Sequence, residues 1–297
     1  MQPLLVCLQD NDSLAATLET AVGASRATLE RRQFPDGETY LRFDTDLQDR
    51  HVIVYSTLDR PDRKILPLLF TAMAARDLGA ASIGLVSPYL AYMRQDERFR
   101  SGEAVTSVHF AKLLSDHIDW LVTVDPHLHR HKSLSEIFDV PAIAVHAAPL
   151  IADWIQQSVE SPLLIGPDEE SKQWVAAVAK EAHAPFAVLN KTRHGDRKVE
   201  VSVPDIGQWQ GCTPILVDDI ISTGQTMIKT IAHLAGAGMQ PPLCVGVHGV
   251  FAGDAFHDLM KAGAGSIVTT NTIAHQSNAI DVSELLANAI RELLVNS

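Results

Sequence analysis

The chain reads as an α/β protein of two similar domains, each a largely parallel sheet flanked by helices. Three observations carry this. Short runs rich in Val, Ile and Leu recur along the 297 residues, and few alternate polar with apolar, which is how strands covered on both faces read. Between many of them lie stretches with apolar residues three and four apart, and strand–helix alternation of that length builds parallel sheets. The length accommodates two domains at about 100–200 residues each, both able to bury a core.

The strand-like runs are Pro3–Leu8, Val52–Tyr55, Ser82–Val86, Trp120–Val124, Ala142–Val145, Leu163–Ile165, Phe186–Leu189, Pro214–Val217, Leu243–Val247 and Ser266–Thr269. Helical spacing marks Ile65–Leu78, Val108–Leu114, Lys172–Ala182, Thr226–Ala235 and Ser283–Leu294. Two segments read as hairpin or loop: Thr28–Phe43, and Asn190–Val203, where KTRHGDRK precedes an alternating VEVSV. The pattern restarts near Pro141–Pro149, which divides the chain into residues 1–145 and 146–297. The last helix, 283–294, is open to packing on either half.

Composition narrows the function classes. A net charge of −12 repels a phosphate backbone, so nucleic acid is not an expected partner. A small anion is still admissible, because a few local donors outweigh a diffuse field. The three cysteines, Cys7, Cys212 and Cys244, form no CxxC pair and fit reduced thiols. MQPLLVCLQDND lacks a basic leader, and no apolar run approaches the roughly 18 residues of a membrane span, so a cytoplasmic protein without a membrane partner is expected.

The sharpest local signal is Ile215–Thr226, an apolar strand, two carboxylates, a Ser-Thr-Gly turn and a helix start. Such a turn leaves backbone N–H groups unpaired, a cradle for a phosphate dianion. Gly224 admits a close backbone approach, and Ser222, Thr223 and Thr226 add hydroxyl donors. Asp218 and Asp219 beside a phosphate would repel it; they suit neighbouring sugar hydroxyls or a divalent cation instead. Plain helix capping explains one such residue, and two Asp followed by Ser-Thr-Gly-Gln-Thr much less well.

This segment resembles the phosphoribosyl-diphosphate (PRPP) loop of the phosphoribosyltransferase-like fold. Four further motifs, in family order and at family-like spacing, resemble those of the ribose-phosphate diphosphokinases. They are Phe34-Pro-Asp-Gly-Glu38, Tyr92-Met-Arg-Gln-Asp96, Val124-Asp-Pro-His127 and Lys191-Thr-Arg193. The resemblance implies two phosphoribosyltransferase-like domains and transfer of the diphosphoryl group of ATP to the C1 hydroxyl of ribose 5-phosphate. It implies ATP contacts at Phe34, Asp36, Gly37, Glu38, Arg94, Gln95 and Asp96, and catalytic roles for Lys191 and Arg193. Ribose 5-phosphate would be held by Arg193, Asp218, Asp219, Ser222, Thr223, Gly224, Gln225 and Thr226. It further implies Mg2+ as cofactor, with His127 and Asp168 at the metal, and a homo-oligomer whose ATP site is shared between subunits.

The chain departs from the family pattern at Glu169, Glu170 and Ser171, where a Gly pair is usual, and at Gln225, where Gly is usual. Ser222 replaces a frequent Asp. Two other readings stay open: a catalytically silent PRPP- or nucleotide-binding regulatory homologue, and a base phosphoribosyltransferase. The second accounts for Asp218–Thr226 but not for the motifs at Phe34 and Arg94. His129 and His131 read as surface histidines starting a helix, since a closed zinc site needs a fourth ligand.

Overall fold

The computed structural model describes residues 2–9, 12–166, 171–194, 198–202 and 206–295. It divides into two compact units, Met1–His146 with Ser283–Ser297, and Ala147–Val282.

The first unit runs β1 (Leu4–Cys7), α1 (Ser13–Ala21), β2 (Ser25–Arg26), a hairpin of β3 (Leu29–Gln33) and β4 (Thr39–Phe43), then β5 (His51–Tyr55) and α2 (Ile65–Asp77). It continues through β6 (Ser82–Ser87), α3 (Thr106–Ser115), β7 (Trp120–Val124) and β8 (Ala142–Val145). The second holds α4 (Ala148–Ser158), β9 (Pro162–Gly166), α5 (Lys172–Glu181), β10 (Phe186–Val188) and a hairpin of β11 (Asn190–His194) and β12 (Lys198–Ser202). After it come β13 (Thr213–Ile221), α6 (Gln225–Gly236), β14 (Leu243–Gly249), α7 (Ala255–Lys261), β15 (Ser266–Thr270) and β16 (Asn278–Ile280). The terminal α8 (Ser283–Val295) belongs to the first unit, where it packs on α1, β7 and β8, and Arg291 donates to the carbonyl of Ala21 at 2.8 Å.

Each unit is built on a six-stranded parallel sheet, ordered β2-β1-β5-β6-β7-β8 in the first and β10-β9-β13-β14-β15-β16 in the second. The orders match position for position, and an antiparallel hairpin interrupts each at the same place, before β5 and before β13. One topology is thus used twice. The chain steps outward from β1 to β2 and returns on the other side at β5; β9, β10 and β13 repeat this. Ligands of open parallel sheets bind at the carboxyl ends of strands flanking such a reversal.

Continuous apolar runs produce these strands because helices cover both faces. Every residue of β6 and β7 is buried. A fully buried Leu or Ile contributes about 1.5–3 kcal/mol relative to exposure, and the cores around Leu4, Val52 and Leu85, and around Leu216, Ile231 and Leu259, are made of such residues. Trp120 lies across from Gly84, where a Cβ would stand 2.0 Å from the indole ring. That position must be glycine for the indole to fit. Three helices outside the segments with clear helical spacing, α1, α4 and α7, complete the layers. Asp12 caps α1, accepting from the amide of Ala15 at 3.1 Å.

Candidate active site

At the reversal of the second sheet, β13 runs through Asp218 and Asp219 to Ile221 rather than stopping at Val217, because its pairing with β14 persists to Ile221↔Gly249. Both carboxylates are therefore strand residues, half-buried, and the Asp219 amide donates to Asp218 Oδ1 at 3.0 Å. Three residues, Ser222–Gly224, turn the chain into α6.

Gly224 takes φ +67°, the left-handed region that glycine enters at little cost, and a Cβ there would stand 3.1 Å from Leu259. No side chain among the described residues caps the helix, and the intrahelical ladder starts with the Ile228 amide donating to the Gly224 carbonyl at 2.8 Å. The amides of Ser222, Thr223, Gly224, Gln225, Thr226 and Met227 take no backbone acceptor among the described residues. Those donors and the positive end of the α6 dipole form an anion cradle. The Gln225 side chain is exposed and makes no hydrogen bond to the loop amides among the described residues.

The first unit has the same reversal without a cradle. Gln9, just past β1, fills it: its Oε1 accepts from the Thr57 amide at 3.2 Å and its Nε2 donates to Ser56 Oγ at 3.1 Å. Lys64 donates to the Thr57 carbonyl at 2.9 Å and pairs with Asp59, and Pro61 contributes no N–H to the turn. This plug escapes sequence reading because it joins residues 47 and 48 positions apart.

The other residues singled out in the first half occupy three separate loops. Phe34–Glu38 is the tip of the β3–β4 hairpin, closed by the Phe34 amide to the Glu38 carbonyl and the Gly37 amide to the Phe34 carbonyl, both at 2.8 Å. Gly37 takes φ +94°, the Glu38 amide donates to Asp36 Oδ1 at 3.2 Å, and residues 31–38 are exposed throughout. Phe34 sits edge-on to Tyr40 with 41% of its surface exposed, and the Arg32 guanidinium lies 4.9 Å from its ring centre.

In the second loop Tyr92 has φ +61°, its ring packs on Phe110 at 4.8 Å, and its hydroxyl donates to Asp62, which pushes its pKa up to about 12. That anchor leaves Arg94 exposed and Gln95 half-buried. Asp96 turns inward, with 3% of its side chain exposed, and accepts from Arg130 at 3.1 Å; Arg130 also pairs with Glu97 at 2.7 Å. Asp96 thus ties the second loop to the third.

That third loop follows β7. Asp125 is buried, takes φ +32° and bonds His146 at 2.8 Å, so that His127 emerges half-buried beside His129, with ring centres 3.9 Å apart. No α-helix follows His129 and His131; the segment continues as loop to a short 3-10 turn, Leu134–Glu136.

Lys191 and Arg193 occupy alternate positions of β11, in register with Val201 and Val199, so the motif lies on a hairpin strand rather than in its connecting loop. Asp168 lies outside the described residues, as do Glu169 and Glu170. Ser171 is the N-cap residue of α5.

A parallel sheet with an anion cradle at the reversal of its strand order defines a phosphoribosyltransferase-type domain, and residues 133–284 match the family model described as the phosphoribosyl transferase domain. Residues 4–117 match that of the N-terminal domain of ribose phosphate pyrophosphokinase. The chain is 30% identical to a ribose-phosphate pyrophosphokinase of Methanobrevibacter smithii, covering 95% of this chain and 98% of that one. It is 31% identical to one of Methanothermobacter thermautotrophicus, over 97% and 100% of the two chains. The crystal structure of phosphoribosylpyrophosphate synthetase from Mycobacterium smegmatis superposes with a TM-score of 0.87 at 25% identity, covering 100% of both chains. The chain belongs to the ribose-phosphate pyrophosphokinase family.

Proposed function

We propose that this protein transfers the terminal diphosphoryl group of ATP to the C1 hydroxyl of ribose 5-phosphate, releasing PRPP and AMP. The observation that carries the reading is the row of amides from Ser222 to Met227, at the carboxyl end of β13, that take no backbone acceptor among the described residues. A dianionic 5-phosphate satisfies those donors at once, and Ser222, Thr223 and Thr226 add hydroxyls. Asp218 and Asp219, further down the same strand, take the ribose hydroxyls, and Gln225 stays out of the way in solvent. The second unit is thus the sugar-phosphate half, and the loops at Phe34–Glu38 and Arg94–Gln95 make the first unit the ATP half.

Chemically, the C1 oxygen attacks the β-phosphorus in line. The new O–P bond forms as the bond from the β-phosphorus to the oxygen bridging it to the α-phosphorus breaks, AMP leaves, and the hydroxyl proton is released. Reactions of this class depend on positioning and on neutralising charge rather than on a protein nucleophile. Lys191 and Arg193 supply that charge, with Arg193 also on the sugar phosphate, and Arg94 and Gln95 orient the nucleotide. Asp96, held by Arg130, fixes the Arg94 loop.

The donor chemistry fits Mg2+: the carboxylate of Asp168 is a hard ligand of the type this ion takes, and Asp218 and Asp219 offer further carboxylate oxygens where these are not engaged by the ribose hydroxyls. When bound, the ion neutralises polyphosphate charge. His127, a nitrogen donor, suits contact through water or phosphate oxygen better than direct ligation.

The exposed β3–β4 hairpin, with an aromatic at its tip, supports a homo-oligomer in which Phe34, Asp36, Gly37 and Glu38 complete a neighbour's ATP site. No helix among the described residues is long and apolar enough to cross a membrane.

Product analysis tests the reading. Incubation with ATP, Mg2+ and ribose 5-phosphate yields AMP in step with PRPP; release of ADP, or no product, contradicts it.

A further inference from the structure

The phosphate cradle has a built support behind it that the reaction scheme does not use. After β14 the chain turns sharply at Val250–Asp254. Phe251 takes φ +42°, a left-handed conformation rare for a bulky residue, although its side chain is buried. This conformation sends two consecutive amides toward the phosphate loop: Phe251 donates to the Ile221 carbonyl at 3.0 Å and Ala252 to the Ser222 carbonyl at 3.1 Å.

Peptide planarity gives these two bonds a consequence. In a trans peptide the C=O and the following N–H point in opposite directions. Holding the Ile221 carbonyl toward Phe251 therefore aims the Ser222 amide away from it. Holding the Ser222 carbonyl toward Ala252 aims the Thr223 amide the same way. Two adjacent donors of the cradle are set by two adjacent donors of the turn.

The ring of Phe251 holds the turn in place. It rests on Gly249, where a Cβ would stand 2.6 Å from Cε2; it meets Phe256 edge-on at 5.5 Å and lies over His275 at 4.5 Å. Leu259, from the helix that follows, closes on Gly224. A strained backbone persists only where its surroundings over-determine it, and these contacts do so.

We infer that Phe251 is a positioning residue for sugar-phosphate binding: its ring locks a left-handed turn whose amides aim the Ser222 and Thr223 donors at the 5-phosphate. The inference rests on the reading of Ser222–Thr226 as the 5-phosphate site. Phe251→Ala removes the lock, and Gly249→Ala disturbs it from below while keeping the ring; circular dichroism establishes folding, and should Phe251→Ala not fold, Gly249→Ala decides alone. Calorimetric titration of the full-length chain with ribose 5-phosphate, and steady-state kinetics with both substrates, provide the readout. The expected result is that both variants weaken ribose 5-phosphate binding and raise its KM by about tenfold or more, as misaimed donors do, while kcat and the KM for ATP hold. Unchanged ribose 5-phosphate constants in a folded variant overturn the inference, and so does a parallel loss in both substrates, which means general loosening. Wild-type protein that fails to bind ribose 5-phosphate overturns the site reading itself and this inference with it.

Discussion

Gly224→Ala perturbs the cradle at its most constrained point. Two costs follow from the geometry. The backbone sits at φ +67°, and left-handed conformation costs a residue with a Cβ roughly 1–2 kcal/mol. The added Cβ would also meet Leu259 Cδ1 and Cγ at 3.1 Å, so that side chain must shift by a few tenths of an ångström. The left-handed backbone alone sets a destabilisation of about 1–2 kcal/mol, which at roughly 2–4 °C per kcal/mol lowers the Tm by about 2–8 °C, and the shift of Leu259 adds to it. If the loop relaxes to escape the strain, the donors re-aim and the penalty moves into binding, where 1–2 kcal/mol is about a 5–30-fold weaker affinity for ribose 5-phosphate. Differential scanning calorimetry and ligand titration on the same samples divide the two. Wild-type values of both Tm and affinity in this variant would show that the left-handed turn constrains nothing.

Gly84→Ala forces a methyl group into the indole of Trp120 and lowers stability by about 1–3 kcal/mol, the usual range for overpacking, without changing the KM of the protein that folds; thermal melts and kinetics check it. Lys191→Ala reduces kcat by about two to three orders of magnitude with ribose 5-phosphate affinity retained, as loss of a transition-state cation does, and an unchanged kcat removes Lys191 from the mechanism. Burial, aided by the nearby His257, lowers the pKa of His275 below 6.5, so the unfolded chain binds the extra proton first as pH falls. Stability is therefore full above about pH 6.5 and declines below it, and His275→Asn flattens that slope in melts between pH 7.5 and 5.5; an identical slope counts against the assignment.

The parallel sheets were legible because apolar runs such as Ser82–Ser87 and Trp120–Val124 are buried on both faces, and burial of that kind is written directly in composition. Where an element is decided by partners, the sequence is quieter. β13 reaches Ile221 through two carboxylates because β14 pairs with it, and the two-residue β2 exists only beside β1. The matched strand order of the two units leaves no repeat in the residues, since each copy preserves topology and not side chains. The turn at Ser222–Gly224 and the helix start after it could be read because their signals are local. The plug by Gln9 and the capture of Asp96 by Arg130 could not, since each joins segments dozens of residues apart.

The claim at the centre is that the sugar phosphate binds the second unit's amides and not the matching turn of the first. Titrating ribose 5-phosphate into protein labelled with 15N at serine and threonine tests this most directly. Downfield amide shifts are expected at Ser222 and Thr223 with Ser56 and Thr57 unmoved, because a phosphate oxygen accepts from the first pair while Gln9 already occupies the Thr57 amide. Shifts at Ser56 and Thr57 with Ser222 and Thr223 silent would contradict it.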